Sequence, residues 1–85
     1  DIIMAFQIEI TTPEKMVASK QADFAEIPGK DGYLGILPGH AALLSELGSG
    51  ELKVTSAGKT ESFGITGGYV EVRDNVVRVL ADSVS

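Results

Sequence analysis

ELKVTSAGKTESFGITGGYVEVRDNVVRVL, Glu51 to Leu80, decides the fold class. Its apolar side chains recur at every second position, the period of a strand with one buried face and not that of a helix. Glu51-Leu52-Lys53-Val54-Thr55 alternates, Ser56-Ala57-Gly58 supplies a hairpin loop, and Lys59 to Ile65 returns with Phe63 and Ile65 inward. Thr66-Gly67-Gly68 reads as a further turn. Tyr69-Val70-Glu71-Val72 and Val76 to Leu80 then pair across Arg73-Asp74-Asn75.

The same period extends toward the N-terminus. Phe6, Ile8 and Ile10 share one face, with Gln7 and Glu9 on the other, and Thr11-Thr12-Pro13-Glu14 ends the strand. Met16 to Ser19 is a short strand. Ala22 to Ile27 follows, with Phe24 and Ala22 opposed to Asp23, which assigns the three Phe side chains to the core. Pro28-Gly29-Lys30-Asp31-Gly32 is the densest turn signal, and Tyr33 to Leu37 is a strand stopped by Pro38-Gly39. Ala41 to Leu47 has helical propensity but is too short to hold a helix alone, so it reads as an irregular crossover between sheets. Turns recurring every few residues with period-two runs between them predict an all-β sandwich or barrel. Met4 reads as the natural first residue and Asp1 to Ile3 as a remnant foreign to it, which places one domain over residues 4–85.

Composition narrows the function. The 85 residues carry 12 acidic and 7 basic side chains, a net charge of -5 with His neutral. An acidic surface argues against nucleic acid and against adhesion to anionic lipid, both of which need a basic face. No apolar run approaches the roughly 20 residues of a membrane-spanning helix, and no signal peptide is recognisable. Without Cys, disulfides and thiolate metal sites are excluded. One His and scattered carboxylates make a poor transition-metal set. The reading is a soluble, intracellular, acidic single domain with no metal and no cofactor.

Catalytic patterns fare badly. His40 stands between Gly39 and Ala41 with no Cys or serine elbow beside it, so it reads as a structural or interface histidine. Gly67-Gly68 is followed by Tyr69-Val70-Glu71 and not by the Lys and Ser or Thr of a phosphate loop. Asp31-Gly32 lacks the alternating oxygen ligands of a calcium loop. Thr11 and Glu14 match a capping box, but no helical period follows. Glu71 and Asp82 read as solvated. A small hydrolase therefore lacks a nucleophile–base pair, and a generic β-sandwich ligand module would have only a thin aromatic platform. The informative segment is GYLGILPGH, Gly32 to His40, where Leu34 and Ile36 take one face and leave Tyr33 and Leu37 on the other. With Leu43 and Leu44 close by, this is more apolar surface than a small core absorbs, which marks either a partner surface or a sandwich that uses both faces.

GYLGILPGHAALLSELGSGELKV, Gly32 to Val54, resembles the epsilon subunit of F-type ATP synthases (delta in mitochondria). The opening strand–turn–strand from Phe6 to Val17, the Pro28-Gly29 and Gly32 pattern, Gly67-Gly68-Tyr69 with Glu71-Val72, and the closing Asn75, Val77, Val79, Leu80, Ala81 and Asp82 follow the family in order. The resemblance covers about Met4 to Asp82. It implies a flattened antiparallel β-sandwich of about ten short strands. It also implies a non-catalytic place in the central stalk of a proton-translocating enzyme. There the domain docks the gamma subunit onto the c-ring and helps couple proton-driven rotation to ATP synthesis. By the same resemblance, Thr12, Pro38, Gly39, His40, Ala41, Leu43 and Leu44 face gamma. Lys30, Asp31, Gly32 and Tyr33 face the polar loops of the c-ring. Where the family often carries an acid this chain has Tyr33, with Asp31 nearby as the carboxylate. The implied location is peripheral, on the cytoplasmic face of the bacterial inner membrane or the equivalent organelle compartment. Many members continue into a C-terminal helical hairpin that inhibits hydrolysis and in some cases binds ATP. This sequence stops at Ser85, as either a naturally short or a shortened subunit, so neither property is expected of it.

Overall fold

Phe6, Ile8 and Ile10 alternate with Gln7 and Glu9, and that alternation becomes β1 (Phe6–Thr11), whose three apolar side chains are all buried. The computed structural model describes residues 4–85; Asp1 to Ile3, read from the sequence as a remnant, lie outside the described residues. The remaining strands are β2 (Met16–Ala22), β3 (Phe24–Gly29), β4 (Gly32–Ile36), β5 (Leu43–Glu46), β6 (Ser49–Ser56), β7 (Lys59–Arg73) and β8 (Val76–Val84). Eight strands stand where about ten were expected, because β7 and β8 are long strands that serve both layers.

One layer runs β5-β7-β8-β1-β2, and the other runs β8-β7-β6-β3-β4. All neighbours are antiparallel except β1 and β8, which run parallel with Ile8 opposite Val77 and Ile10 opposite Val79. The inward rows are nearly continuous. Leu43, Val72, Val77 and Ile8 lie side by side across one layer, and Ile36, Ala25 and Val54 across the other. Among the described residues the core holds no buried polar or charged side chain, so burial alone carries its cohesion.

The predicted turn at Thr66-Gly67-Gly68 is instead a bend inside β7. A straight strand of 15 residues would run roughly 50 Å, longer than the 36 Å greatest dimension of the Cα trace, so it must bend. It does so at Gly67 (φ 62°) and Gly68 (φ 113°), where only glycine is unstrained. Before the bend β7 pairs with β6; after it, with β5. Meanwhile β8 follows β7 through the bend, from Arg73 opposite Val76 to Ile65 opposite Val84.

Two further differences have local causes. Phe24 lies on the outside, its ring over the bare backbone of Gly35. Asp23 is the reason: it bends the chain between β2 and β3, held by Asp23 N–H to Thr55 O at 2.9 Å and by Ala57 N–H to its own carboxylate at 3.2 Å. Alternation restarts there, so Ala22, Ala25 and Ile27 point in while Phe24 points out. The crossover at Ala41 to Leu47 contains a true strand, β5, with Leu43 opposite Val72 and Glu46 opposite Tyr69.

The open edge between layers is bridged by an ion pair between Lys20 of β2 and Glu61 of β7. Both side chains are solvent-accessible, so the pair stabilises little. A Lys20→Ala, Glu61→Ala double-mutant cycle in urea unfolding is expected to return a coupling of about 0.5 kcal/mol or less, shrinking with added salt.

Candidate functional site

Residues directly opposite one another in a sheet point to the same side. On the outer side of the layer that contains β5 this builds one unbroken row: Glu46 of β5, Tyr69 of β7, Leu80 of β8, Thr11 of β1 and Met16 of β2. Tyr69, Leu80 and Met16 are each about half exposed (53%, 53% and 52%). The adjacent row reads Leu44, Glu71, Arg78, Glu9 and Ser19. Leu44 is 72% exposed, while Arg78 lies between Glu9 at 3.5 Å and Glu71 at 3.9 Å. A largely apolar row thus runs beside one in which Arg78 is shared by two carboxylates. Tyr69 joins two shallow grooves, one lined by Thr12, Pro13 and Leu80 and the other by Lys30, Asp31 and Leu44.

β5 links the two groups of residues assigned from the sequence. Its N-terminal end emerges from the Pro38–Ala42 corner, where Gly39, His40 and Ala41 are exposed and Pro38 is half-buried. Its C-terminal end meets the Lys30 turn through Lys30 N–H to Glu46 O at 3.0 Å and an ion pair at 3.5 Å. Leu44 faces solvent, whereas Leu43 is half-buried against the core. Thr12 is half-buried and accepts bonds from Glu14 N–H and Lys15 N–H, both at 3.3 Å, which shapes the first turn. The four turn residues Lys30, Asp31, Gly32 and Tyr33 are exposed. Tyr33 is nonetheless fixed: its hydroxyl accepts Glu51 N–H at 3.1 Å and its ring lies against the bare backbone of Gly50.

Sequence reading missed Tyr69 and Leu80. The signal was present, since Val70, Val72, Val79 and Ala81 point inward and leave their neighbours outward, but pairing the two across β7 and β8 required the register.

The His40 ring makes a single hydrogen bond among the described residues, from Nδ1 to Ala41 O at 2.7 Å. A carbonyl can only accept, so Nδ1 carries a proton and Nε2 is left to face outward. No group of three or more His, Asp or Glu side chains suited to a metal occurs among the described residues. Among the described residues no helix is long and apolar enough to cross a membrane.

Comparison with known proteins identifies the fold and the family. A chain of the Euglena gracilis mitochondrial ATP synthase, solved with OSCP, F1 and c-ring, superposes with a TM-score of 0.92 at 24% identity, covering 100% of this chain and 55% of that one. A chain of the Tetrahymena thermophila mitochondrial ATP synthase central stalk and c-ring gives 0.78 at 23% identity, covering 93% and 64%. At such identities the likeness shows the fold. In sequence, the ATP synthase epsilon chains of Koribacter versatilis and Carboxydothermus hydrogenoformans are each 46% identical, over 92% and 91% of this chain. The chain spans 55% and 58% of the length of those two relatives. The family described as ATP synthase, Delta/Epsilon chain, beta-sandwich domain matches residues 5–85. With that match over nearly the whole chain, the protein belongs to the delta/epsilon β-sandwich family of ATP synthases.

Proposed function

We propose that this chain is the β-sandwich part of a non-catalytic central-stalk subunit. In that role it docks the gamma subunit of an F-type ATP synthase onto the c-ring and couples proton-driven rotation to ATP synthesis. The observation that carries the reading is the outer face of the layer that contains β5. An apolar stripe centred on Tyr69 and Leu80 has the exposed Leu44 of the neighbouring row beside it, toward the Pro38–Ala41 corner, and a charged turn, Lys30 to Tyr33, stands at the opposite end of β5. An apolar centre with a polar rim is the anatomy of a stable protein interface. Gamma takes the apolar part, through Thr12, Pro38, Gly39, His40, Ala41 and Leu44, with Tyr69 and Leu80 added here and Leu43 supporting them from the core side. The polar c-ring loops take the turn, where Lys30 and Asp31 offer both signs of charge. Torque must pass between the two without loss, and two sheets packed face to face resist bending better than one. The domain then stands peripheral to the membrane, on the cytoplasmic side in bacteria or in the equivalent organelle compartment, and needs no cofactor.

Mixed with gamma at micromolar concentration, the chain is expected to co-elute with it as one complex on size exclusion. Separate elution of the two would overturn the proposal.

A further inference from the structure

The corner from Pro38 to Ala41 lies outside every strand, and Gly39 adopts a left-handed φ of 79°. Inside the corner, His40 N–H bonds Leu37 O at 3.2 Å and the His40 ring bonds Ala41 O. Among the described residues, its one hydrogen bond to the rest of the domain is Gly39 N–H to Asn75 Oδ1, at 2.9 Å. Asn75 belongs to the two-residue turn between β7 and β8, with Asp74 at φ 52° and Asn75 at φ 62°, a conformation Asn tolerates better than most residues. The other end of the same amide, Nδ2, donates to Ala5 O at 2.6 Å, and the Asn75 carbonyl accepts Gln7 N–H at 3.2 Å. Three segments distant in sequence meet on this residue: the corner, the entry to β1, and the β7–β8 turn. The amide is half-buried, so its orientation is set by both partners at once, with oxygen toward Gly39 and nitrogen toward Ala5.

We propose that Asn75 is a positioning residue: its side chain holds the Pro38–Ala41 corner in the one conformation that a partner reads. The consequence for binding rests on the reading of that corner as the gamma-facing surface. A surface that adopts its competent conformation only part of the time binds with an affinity reduced by that fraction. Releasing Gly39 therefore weakens docking even though Asn75 itself need touch no partner.

The test is Asn75→Gly, which keeps the left-handed backbone without strain and deletes only the amide. The expected result has three parts: a melting temperature within a few degrees of the original, about fivefold faster hydrogen exchange at the Gly39 amide, and a gamma dissociation constant raised about fivefold, the fold-change of one net hydrogen bond. Asn75→Asp keeps an acceptor for Gly39 but sets its second oxygen against the Ala5 carbonyl, so it is expected to recover part of the slow exchange and part of the affinity. Unchanged Gly39 exchange in Asn75→Gly would overturn the proposal, as would faster exchange with an unaltered gamma affinity. In the unsubstituted protein, the temperature coefficient of the Gly39 amide shift tests the clamp without a variant: a hydrogen-bonded value supports it and a solvent-exposed value sinks it. If the unsubstituted chain does not bind gamma at all, the gamma reading fails, while the exchange and temperature measurements still decide what Asn75 does to the corner.

Discussion

Gly68→Ala is expected to remove most of the domain's stability. A Cβ at this position would sit 2.0 Å from Leu80 O and 2.9 Å from Ala81 Cα, both backbone atoms of the adjacent strand β8. Neither can move without breaking the ladder that pairs Gly68 with Ala81 and Tyr69 with Leu80. The φ of 113° adds strain that no L-residue escapes. Together these cost about 4 kcal/mol or more, against a total stability on the order of 5–10 kcal/mol for a small domain. Thermal unfolding followed by circular dichroism is expected to show the melting temperature falling by roughly 20 °C, or no cooperative transition at all. Gly58→Ala is the matched control. Gly58 also has a positive φ, 79°, but nothing lies within 4 Å of the added methyl, so the expected loss is only about 1–2 kcal/mol. Equal losses at the two sites would show that close approach to β8 is not what Gly68 provides.

Leu44→Asp is expected to abolish gamma binding while leaving the fold intact. Leu44 is 72% exposed and points away from the core, so the free domain loses roughly 0.5 kcal/mol at most. In the complex the new carboxylate would be desolvated against an apolar partner surface. Central interface positions of this kind are worth about 2–3 kcal/mol on truncation, and a buried charge adds to that. The dissociation constant should rise by about 100-fold or more. Tyr69→Asp, two rungs along the same face, should behave alike. Leu43→Asp is the wrong probe, because Leu43 packs against the core beside Val72 and its loss would report folding. Titration calorimetry with gamma, beside a melting curve for each variant, separates the two effects. An unaltered affinity in a folded Leu44→Asp domain would remove this face from the gamma interface.

These probes show where sequence reading succeeded and where it stopped. Phe6, Ile8 and Ile10 announced their strand because each inward position is set by its immediate neighbours, and Leu34 and Ile36 were separated from Tyr33 and Leu37 by the same local rule. The failures were non-local. A Gly-Gly pair after Thr66 has the composition of a turn, and only the pairing of β7 with two different partners on either side of it makes it a bend. Phe24 obeyed alternation with Ala22 by position alone, but Asp23 resets the phase through contacts with Thr55 and Ala57, more than thirty residues away. Residues 43–46 are a strand because Glu46 and Leu43 find Tyr69 and Val72; alone they carry no such preference. The corner and the Lys30 turn were assigned by resemblance, and the register showed that one short strand joins them. The part played by Asn75 was hidden altogether, since Ala5 and Gly39 are brought to it only by the completed fold.

The parallel pairing of β1 with β8 also governs how the chain acquires its shape. Ile8 and Ile10 are covered on one side by Val77 and Val79, which a ribosome delivers about seventy residues later. A nascent chain halted after β6 would hold an N-terminal strand with one edge unsatisfied and its greasy side open to water. Productive folding therefore waits for translation of the closing strand. Pairing β1 with β8 is a long loop closure, which puts the folding of the domain in the millisecond-to-second range of β-rich domains.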